Sequence, residues 1–220
     1  MEIRKIDKII NEIITGSEYL GSGASKEAYL KNETVYKIPR GRYAIEDNIA
    51  LGDIVFPKTI EEVNSFLRDV ERNYPQLVWP LGQFAIELLV WEAIQQLEQE
   101  GITINCIARI KDYYFDASGV IVIEQEPTIG YYDSEFEERD DEGKAVPCYE
   151  SSLWEEMQEE LGYLTTILEE RFNIWLRDIN TYNCGIAADG RMKLFDFGIS
   201  TSTELDDYGT YSDCINESEW

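Results

Sequence analysis

Asp178-Ile179-Asn180-Thr181-Tyr182-Asn183 is followed, thirteen residues after Asn183, by Asp196-Phe197-Gly198. Between them Asp189-Gly190 separates two short runs, a pattern that predicts a hairpin turn. A hairpin with an acid and an amide at one end and a second acid at the other can converge three oxygen-bearing side chains on one point. Mg²⁺ takes a few hard oxygen ligands and leaves the remaining positions to phosphate and water. The spacing therefore suits a metal-bound polyphosphate, with Asp196 and Asn183 as ligands and Asp178 orienting the attacking hydroxyl. Asp and Asn also favour ordinary turns, but turn chemistry alone does not ask for this spacing.

Composition limits what such a site could serve. The chain has 220 residues, enough for one good-sized domain or two small lobes. Its 44 Asp and Glu against 19 Lys and Arg give a net charge of −25, which disfavours direct contact with a phosphate backbone. Hydrophobic residues at 44% and aromatics at 12% support a globular fold rather than a disordered acidic chain. With no His, imidazole catalysis and His-ligated metals are excluded. The four Cys, at 106, 148, 184 and 214, form no CxxC pair, so reduced and chemically idle thiols are expected. No run reaches the roughly 18 apolar residues of a membrane span, and the start lacks the apolar stretch of a signal peptide. A cytoplasmic protein is the expectation, in the host cytoplasm if the source is viral.

Ile3, Ile6, Ile9, Ile10, Ile13 and Ile14 recur at helical spacing up to Gly16-Ser17, predicting an opening amphipathic helix. From Tyr19 to Ile38 the text reads as two or three antiparallel strands. Thr59 and Glu62 form a capping box for a helix running to about Asn73 before Pro75. Another helix begins near Gln83, with Phe84, Leu88, Trp91 and Leu97 inward. Strand-like runs follow at Cys106 to Tyr114 and Val120 to Glu126, joined by a turn at Asp116 to Gly119. The acid-rich stretch 128 to 150 reads as a solvated loop. Ser152 and Glu155 cap a long helix whose Trp154, Met157, Leu161, Leu164 and Leu168 make one apolar stripe. Residues 111 to 220 carry 27 acids and 7 bases (−20), against 17 and 12 (−5) before them.

The D-x-x-x-x-N spacing at 178–183 and the D-F-G at 196–198 resemble the catalytic loop and metal motif of the protein-kinase superfamily. Leu20-Gly-Ser-Gly-Ala-Ser-Lys-Glu-Ala-Tyr29 looks like that family's Gly-rich loop, where Gly21, Ser22 and Gly23 would offer backbone N–H groups to phosphate oxygens. Thr34-Val35-Tyr36-Lys37-Ile38 is similar to the lysine strand, so the resemblance gives Lys37 the α/β-phosphates. Glu87 is the choice for its ion-pair partner and Glu92 the second choice, because helix register is not set by sequence. Gly119-Val-Ile-Val-Ile123-Glu124-Gln125-Glu126 resembles the strand and hinge between the lobes. That implies Ile123 as gatekeeper, with the Glu124 C=O and Glu126 N–H on the adenine edge. The resemblance covers residues 20 to 198. Gly-Ser-Gly-Ala-Ser-Lys26 with Asn183-Cys-Gly185 is similar, more narrowly, to compact kinase-like proteins encoded by bacteriophages.

Three departures stand out. Lys26 replaces the third loop glycine, which would stiffen the loop or add a phosphate-facing charge. Leu176 replaces the His that usually precedes Arg177. Asn180 replaces the Lys that would steady the transferred group, which bears on turnover. No A-P-E motif follows in the 24 residues after Asp196, so a reduced C-terminal lobe is expected.

The resemblance implies an α+β, two-lobe kinase-like fold. Residues 1–126 would form the N-lobe, with an insertion at 41–80, and 127–220 a truncated C-lobe. It implies ATP and Mg²⁺ as cofactors and phosphorylation of Ser or Thr on a protein substrate or host partner, including its own tail at Ser200 to Ser212. The rival readings are a small-molecule kinase, a pseudokinase that binds nucleotide without transfer, and an acidic decoy that mimics nucleic acid toward a host protein. Neither membrane nor direct nucleic-acid binding is expected.

Overall fold

A computed structural model describes residues 4–23, 26–39, 57, 60–73, 78–130, 138–139, 145–146 and 152–200. The fold is mixed, with an antiparallel sheet and helices. Glu18–Ser22 (β1), Lys26–Lys31 (β2), Thr34–Pro39 (β3), Ile110–Phe115 (β4) and Ile121–Gln125 (β5) form a five-stranded sheet in the order β1-β2-β3-β5-β4. All its strand pairs are antiparallel. Side chains alternate between faces along a strand, so the register decides what each face carries. Lys37 stands opposite Ile123 on β5 and Ala28 on β2, which puts Lys37, Ile123 and Lys26 on one face.

The other face carries Ile38, Tyr114 and Val122, which pack with Ile10 and Ile14 of a short helix, Ile10–Ile14 (α1). This corrects the expected opening helix. Only five residues are helical, while the segment around Lys5 runs extended beside β4, with the Ile6 N–H donating to Phe115 O and the Phe115 N–H to Arg4 O, both at 2.9 Å. Those β4 groups would otherwise lack ladder partners, and satisfying them outweighs the isoleucine periodicity. The buried Asp116 carboxylate takes the Ile10 N–H at 2.6 Å and the Val120 N–H at 2.8 Å, tying the start of α1 to the β4–β5 turn.

Ile60–Asn73 (α2) and Val78–Gln99 (α3) are long helices. The first ends at Asn73 as expected, although Thr59 of its capping box lies outside the described residues. The second begins five residues earlier than Gln83, because Pro80 falls in its first turn, where no intrahelical N–H is needed. A Cβ on Gly82 would sit 2.9 Å from Leu67 Cδ2, so glycine there lets α3 approach α2 closely. Ser152–Phe172 (α4) buries Met157, Leu161, Leu164 and Leu168, with Trp154 half-buried beside them. Each such leucine contributes roughly 1.5–3 kcal/mol by leaving water.

Trp175–Arg177 (β9) pairs with Gly198–Ser200 (β12). Cys184–Ala187 (β10) and Met192–Leu194 (β11) form the predicted hairpin, closed at Gly190, whose N–H donates to Ala187 O at 2.9 Å. Thr128–Gly130 (β6) pairs with the other edge of β10. The stretch 128–150 is thus not loop throughout, since it also holds Glu138–Arg139 (β7) paired with Ala145–Val146 (β8). One apolar cluster runs from α2 and α3 through Ile121 and Ile123 to α4, Leu194 and Phe197. No described helix is long and apolar enough to cross a membrane.

Candidate functional site

Residues from five separate elements meet on the α3-facing side of the sheet. Glu87, on the buried face of α3 with Phe84, Leu88 and Trp91, is 1% exposed. Its Oε1 accepts from Lys37 Nζ at 2.7 Å and its Oε2 from Lys26 Nζ at 2.7 Å. Lys26 Nζ also donates to Asp196 Oδ1 at 2.7 Å, and Lys37 Nζ to Phe195 O. Two ammoniums and two carboxylates therefore neutralise one another. Both lysine side chains are almost fully buried, while Asp196 keeps 37% of its side chain exposed.

The electrostatics follow from that enclosure. Burial alone would lower the Lys26 pKa, but the Asp196 and Glu87 carboxylates outweigh it and hold the ammonium above the ordinary lysine value. Burial would raise Asp196, yet Lys26, Lys37 and the Phe197 N–H, which donates at 3.1 Å, keep it below the usual carboxylate range. Glu92, the alternative partner for Lys37, is half-buried and lies near Tyr113, whose hydroxyl it helps push up behind the larger effect of burial.

Asp178 follows β9 in a left-handed backbone conformation, φ 59°. Its exposed carboxylate accepts from Asn180 Nδ2 at 2.7 Å and Asn183 Nδ2 at 3.0 Å. Asn183 closes a single 3₁₀ turn, Thr181–Asn183, and its backbone carbonyl accepts the Phe195 N–H at 2.8 Å. The β9–β12 register sets Gly198 opposite Arg177. Asp178, Asn183 and Asp196 are thereby drawn to one end of the hairpin, although 178 and 196 are far apart in sequence.

The other sequence-predicted positions fall variously. Gly21 lies at a register break in β1 with φ 151°, and the Gly23 N–H donates to Lys26 O at 2.9 Å, so the loop is a hairpin tip with Ser22 and Gly23 exposed. Ala24 and Ser25 lie outside the described residues. Ile123 is fully buried opposite Lys37. The two positions expected at the adenine edge lie at the end of β5 and just after it. Glu124 sits inside the sheet between Tyr36 and Asp112, its carboxylate bonded to the Tyr114 hydroxyl at 2.7 Å. The Glu126 N–H donates to Arg109 O at 2.9 Å. Main-chain groups that satisfy the sheet and its continuation are already engaged.

Lys26, expected to stiffen the loop or add a phosphate-facing charge, instead reaches Glu87 and Asp196, and two other participants went unnoticed in the sequence. Gln125 shares the face of Ile121 and Ile123, and its Nε2 donates to Ala108 O at 3.2 Å and Phe195 O at 3.4 Å. Its signal was a polar residue at the inward position of an apolar alternation. Lys193, opposite Gly185, is buried and donates to Glu126 Oε1 at 2.9 Å, with Asp189 at 3.0 Å. Its mark was a lysine between Met192 and Leu194. The buried thiols of Cys106 and Cys184 are both pushed up to about 12 by burial, so neither is a thiolate nucleophile near neutrality.

Among the described residues no cluster of three or more Cys, Asp or Glu could hold a metal by itself. The donor set suits Mg²⁺ carried by a polyphosphate instead. Asp196 Oδ2 takes no hydrogen bond from the described residues, since both bonds to that carboxylate reach Oδ1. The Asn183 side chain uses its amide nitrogen on Asp178, which leaves its carbonyl oxygen as a ligand.

No family model matches the chain, and no curated protein matches it. Among solved structures it is similar to WbdD, at 15% identity and a TM-score of 0.42 over 90% of this chain and 36% of that one. It is also similar to PpkA-294 in its apo form, at 11% identity and 0.43 over 91% and 62%. The third is the CAK complex from Chaetomium thermophilum bound to ATP-gamma-S, at 14% identity and 0.41 over 91% and 54%. The chain thus spans about a third of WbdD's length and somewhat over half of the other two. These likenesses are distant.

Proposed function

We propose that the chain is a kinase-like phosphotransferase that binds ATP with Mg²⁺ and phosphorylates Ser or Thr on a protein. The observation that carries this reading is the buried Lys37–Glu87 ion pair beside Asp196, with Asp178 and Asn183 on the adjoining loop. In this reading the sheet, α1, α2 and α3 form a small lobe, α4 and the hairpin belong to a second lobe, and the nucleotide lies between them.

Phosphoryl transfer calls mainly for positioning and charge neutralisation. Lys37, fixed by Glu87, holds the α/β-phosphates. Asp196 and Asn183 would hold the magnesium, which would supply positive charge against the phosphates. The Asp178 carboxylate, steered by Asn180 and Asn183, would orient the acceptor hydroxyl and take up its proton as the bond from its oxygen to the γ-phosphorus forms and the bond from that phosphorus to the leaving ADP breaks. The tail from 201 onward lies outside the described residues, and phosphorylation of that tail belongs to the same proposal.

A γ-phosphate transfer assay on a cell lysate tests the reading. Wild-type protein should label protein acceptors. Asp178→Ala should keep Mg²⁺-dependent stabilisation by ATP and lose transfer, whereas Asp196→Ala should lose that stabilisation. Equal thermal shifts with MgATP for wild type and Asp196→Ala would count against the metal assignment. Transfer only to small acceptors would favour the small-molecule kinase, and nucleotide binding with no transfer would favour the pseudokinase.

A further inference from the structure

We propose that Lys26 is a second phosphate-binding cation of this nucleotide site, and that in the ligand-free protein it serves as the counter-ion of Asp196 until a metal-bound nucleotide takes its place. The inference rests on the nucleotide reading above and deepens it. Its basis is the second ammonium on Glu87. Glu87 is the one fully buried carboxylate of the quartet, and Lys37 alone, at 2.7 Å, would neutralise it. Lys26 is a second ammonium on the same carboxylate, and its other contact is Asp196, which is part-exposed and would be hydrated without it. Structure alone does not require this lysine. Burying a long charged side chain is costly unless it is fully paired, so a chain with no use for it here would favour an apolar residue.

Position explains the use. Lys26 is the first residue of β2, directly after the hairpin tip. Antiparallel pairing sets Ala28 opposite Lys37, and Lys26, two residues before Ala28, shares that face. The two ammoniums thus stand side by side, one on the lysine strand and one at the root of the loop. A divalent cation arriving on Asp196 meets Lys26 on the same carboxylate, and like charges at such separations repel strongly in a partly dry site. Lys26 lets go of Asp196 as the cation settles on the free Oδ2, while keeping Glu87 Oε2. Its freed hydrogen-bonding capacity turns to the phosphate oxygens that enter with the metal. Asp196 is thereby kept neutralised without ligand, and the displaced charge is reused on the polyanion.

The test separates metal from nucleotide. Lys26→Met removes the charge at similar length, and Glu87 stays paired with Lys37, so the variant retains its fold; Lys26→Gln serves if its melting curve shows otherwise. ATP affinity is measured with Mg²⁺, and Mn²⁺ affinity without nucleotide is measured by electron paramagnetic resonance. Loss of Lys26 should weaken MgATP binding by about tenfold or more, the worth of a charge-assisted hydrogen bond. It should strengthen binding of Mn²⁺ alone, because the competing ammonium is gone. Lys37→Met should weaken ATP similarly, with a smaller effect on Mn²⁺, since Lys37 does not touch Asp196. A merely structural lysine would move both affinities in the same direction. ATP affinity within twofold of wild type, or Mn²⁺ bound no more tightly, overturns the proposal and leaves the nucleotide reading standing. Wild-type protein that binds no ATP overturns both.

Discussion

Glu87 is the residue on which the lysine pair depends. At 1% exposure it has no recourse to water, so its charge is supported by Lys26 and Lys37 together. Removing either lysine leaves Glu87 one charge-assisted bond and its charge still paired. Removing both strands a buried carboxylate, which costs about 3–5 kcal/mol where a pair is broken outright. A double-mutant cycle on Lys26→Met and Lys37→Met, followed by urea denaturation, should therefore show a loss for the double variant that exceeds the sum of the singles. Strict additivity would mean that the two lysines do not share Glu87. The Lys37–Glu87 pairing was legible only through the resemblance to the kinase lysine strand, which left Glu92 as a second choice because sequence does not set the helix register. Lys26 was not, because its partners are 61 and 170 positions away and only the sheet register aims it at them.

At the scale of elements, the parts with strong local signals came through. The Asp189-Gly190 hairpin and the apolar stripe of the long helix each combine a periodic pattern with a stop or turn residue. The start of the chain did not, because two elements compete for it: its isoleucines have helical spacing, but an unpaired β4 edge offers backbone partners to the same residues. Of the positions expected at the adenine edge, Glu124 lies in the strand pairing opposite Tyr36 and Asp112, and the Glu126 N–H donates to Arg109 O. A second close approach is set by Gly185, where β10 meets β6. A Cβ there would lie 2.6 Å from Ile129 O and 2.8 Å from the Thr128 side chain, and neither the backbone nor a β-branched residue can yield cheaply. Gly185→Ala should destabilise the protein by about 1–3 kcal/mol, as overpacking does. Hydrogen exchange should locate the loss at β6 and β10, and an unchanged denaturation midpoint would show that the strands separate without penalty.

On the scale of the whole molecule, a net charge of −25 surrounds a small buried region where two lysines balance two acids. The outer ion pairs, Arg171 with Glu100 and Arg191 with Glu160, are substantially exposed. Exposed pairs contribute about 0–1 kcal/mol each and weaken with salt. Repulsion among the excess acids acts between every pair within a screening length, and that length falls from about 30 Å at 10 mM ionic strength to about 8 Å at 150 mM. Many like-charge terms thus relax on adding salt while few attractive ones are lost, and the buried quartet, shielded from solvent ions, changes little. The melting temperature should accordingly rise as NaCl is raised from 10 to 150 mM at pH 7 and then level off. A fall over that range would mean that the surface pairs outweigh the net repulsion and that the acids are compensated locally. Scanning calorimetry at matched protein concentration distinguishes the two.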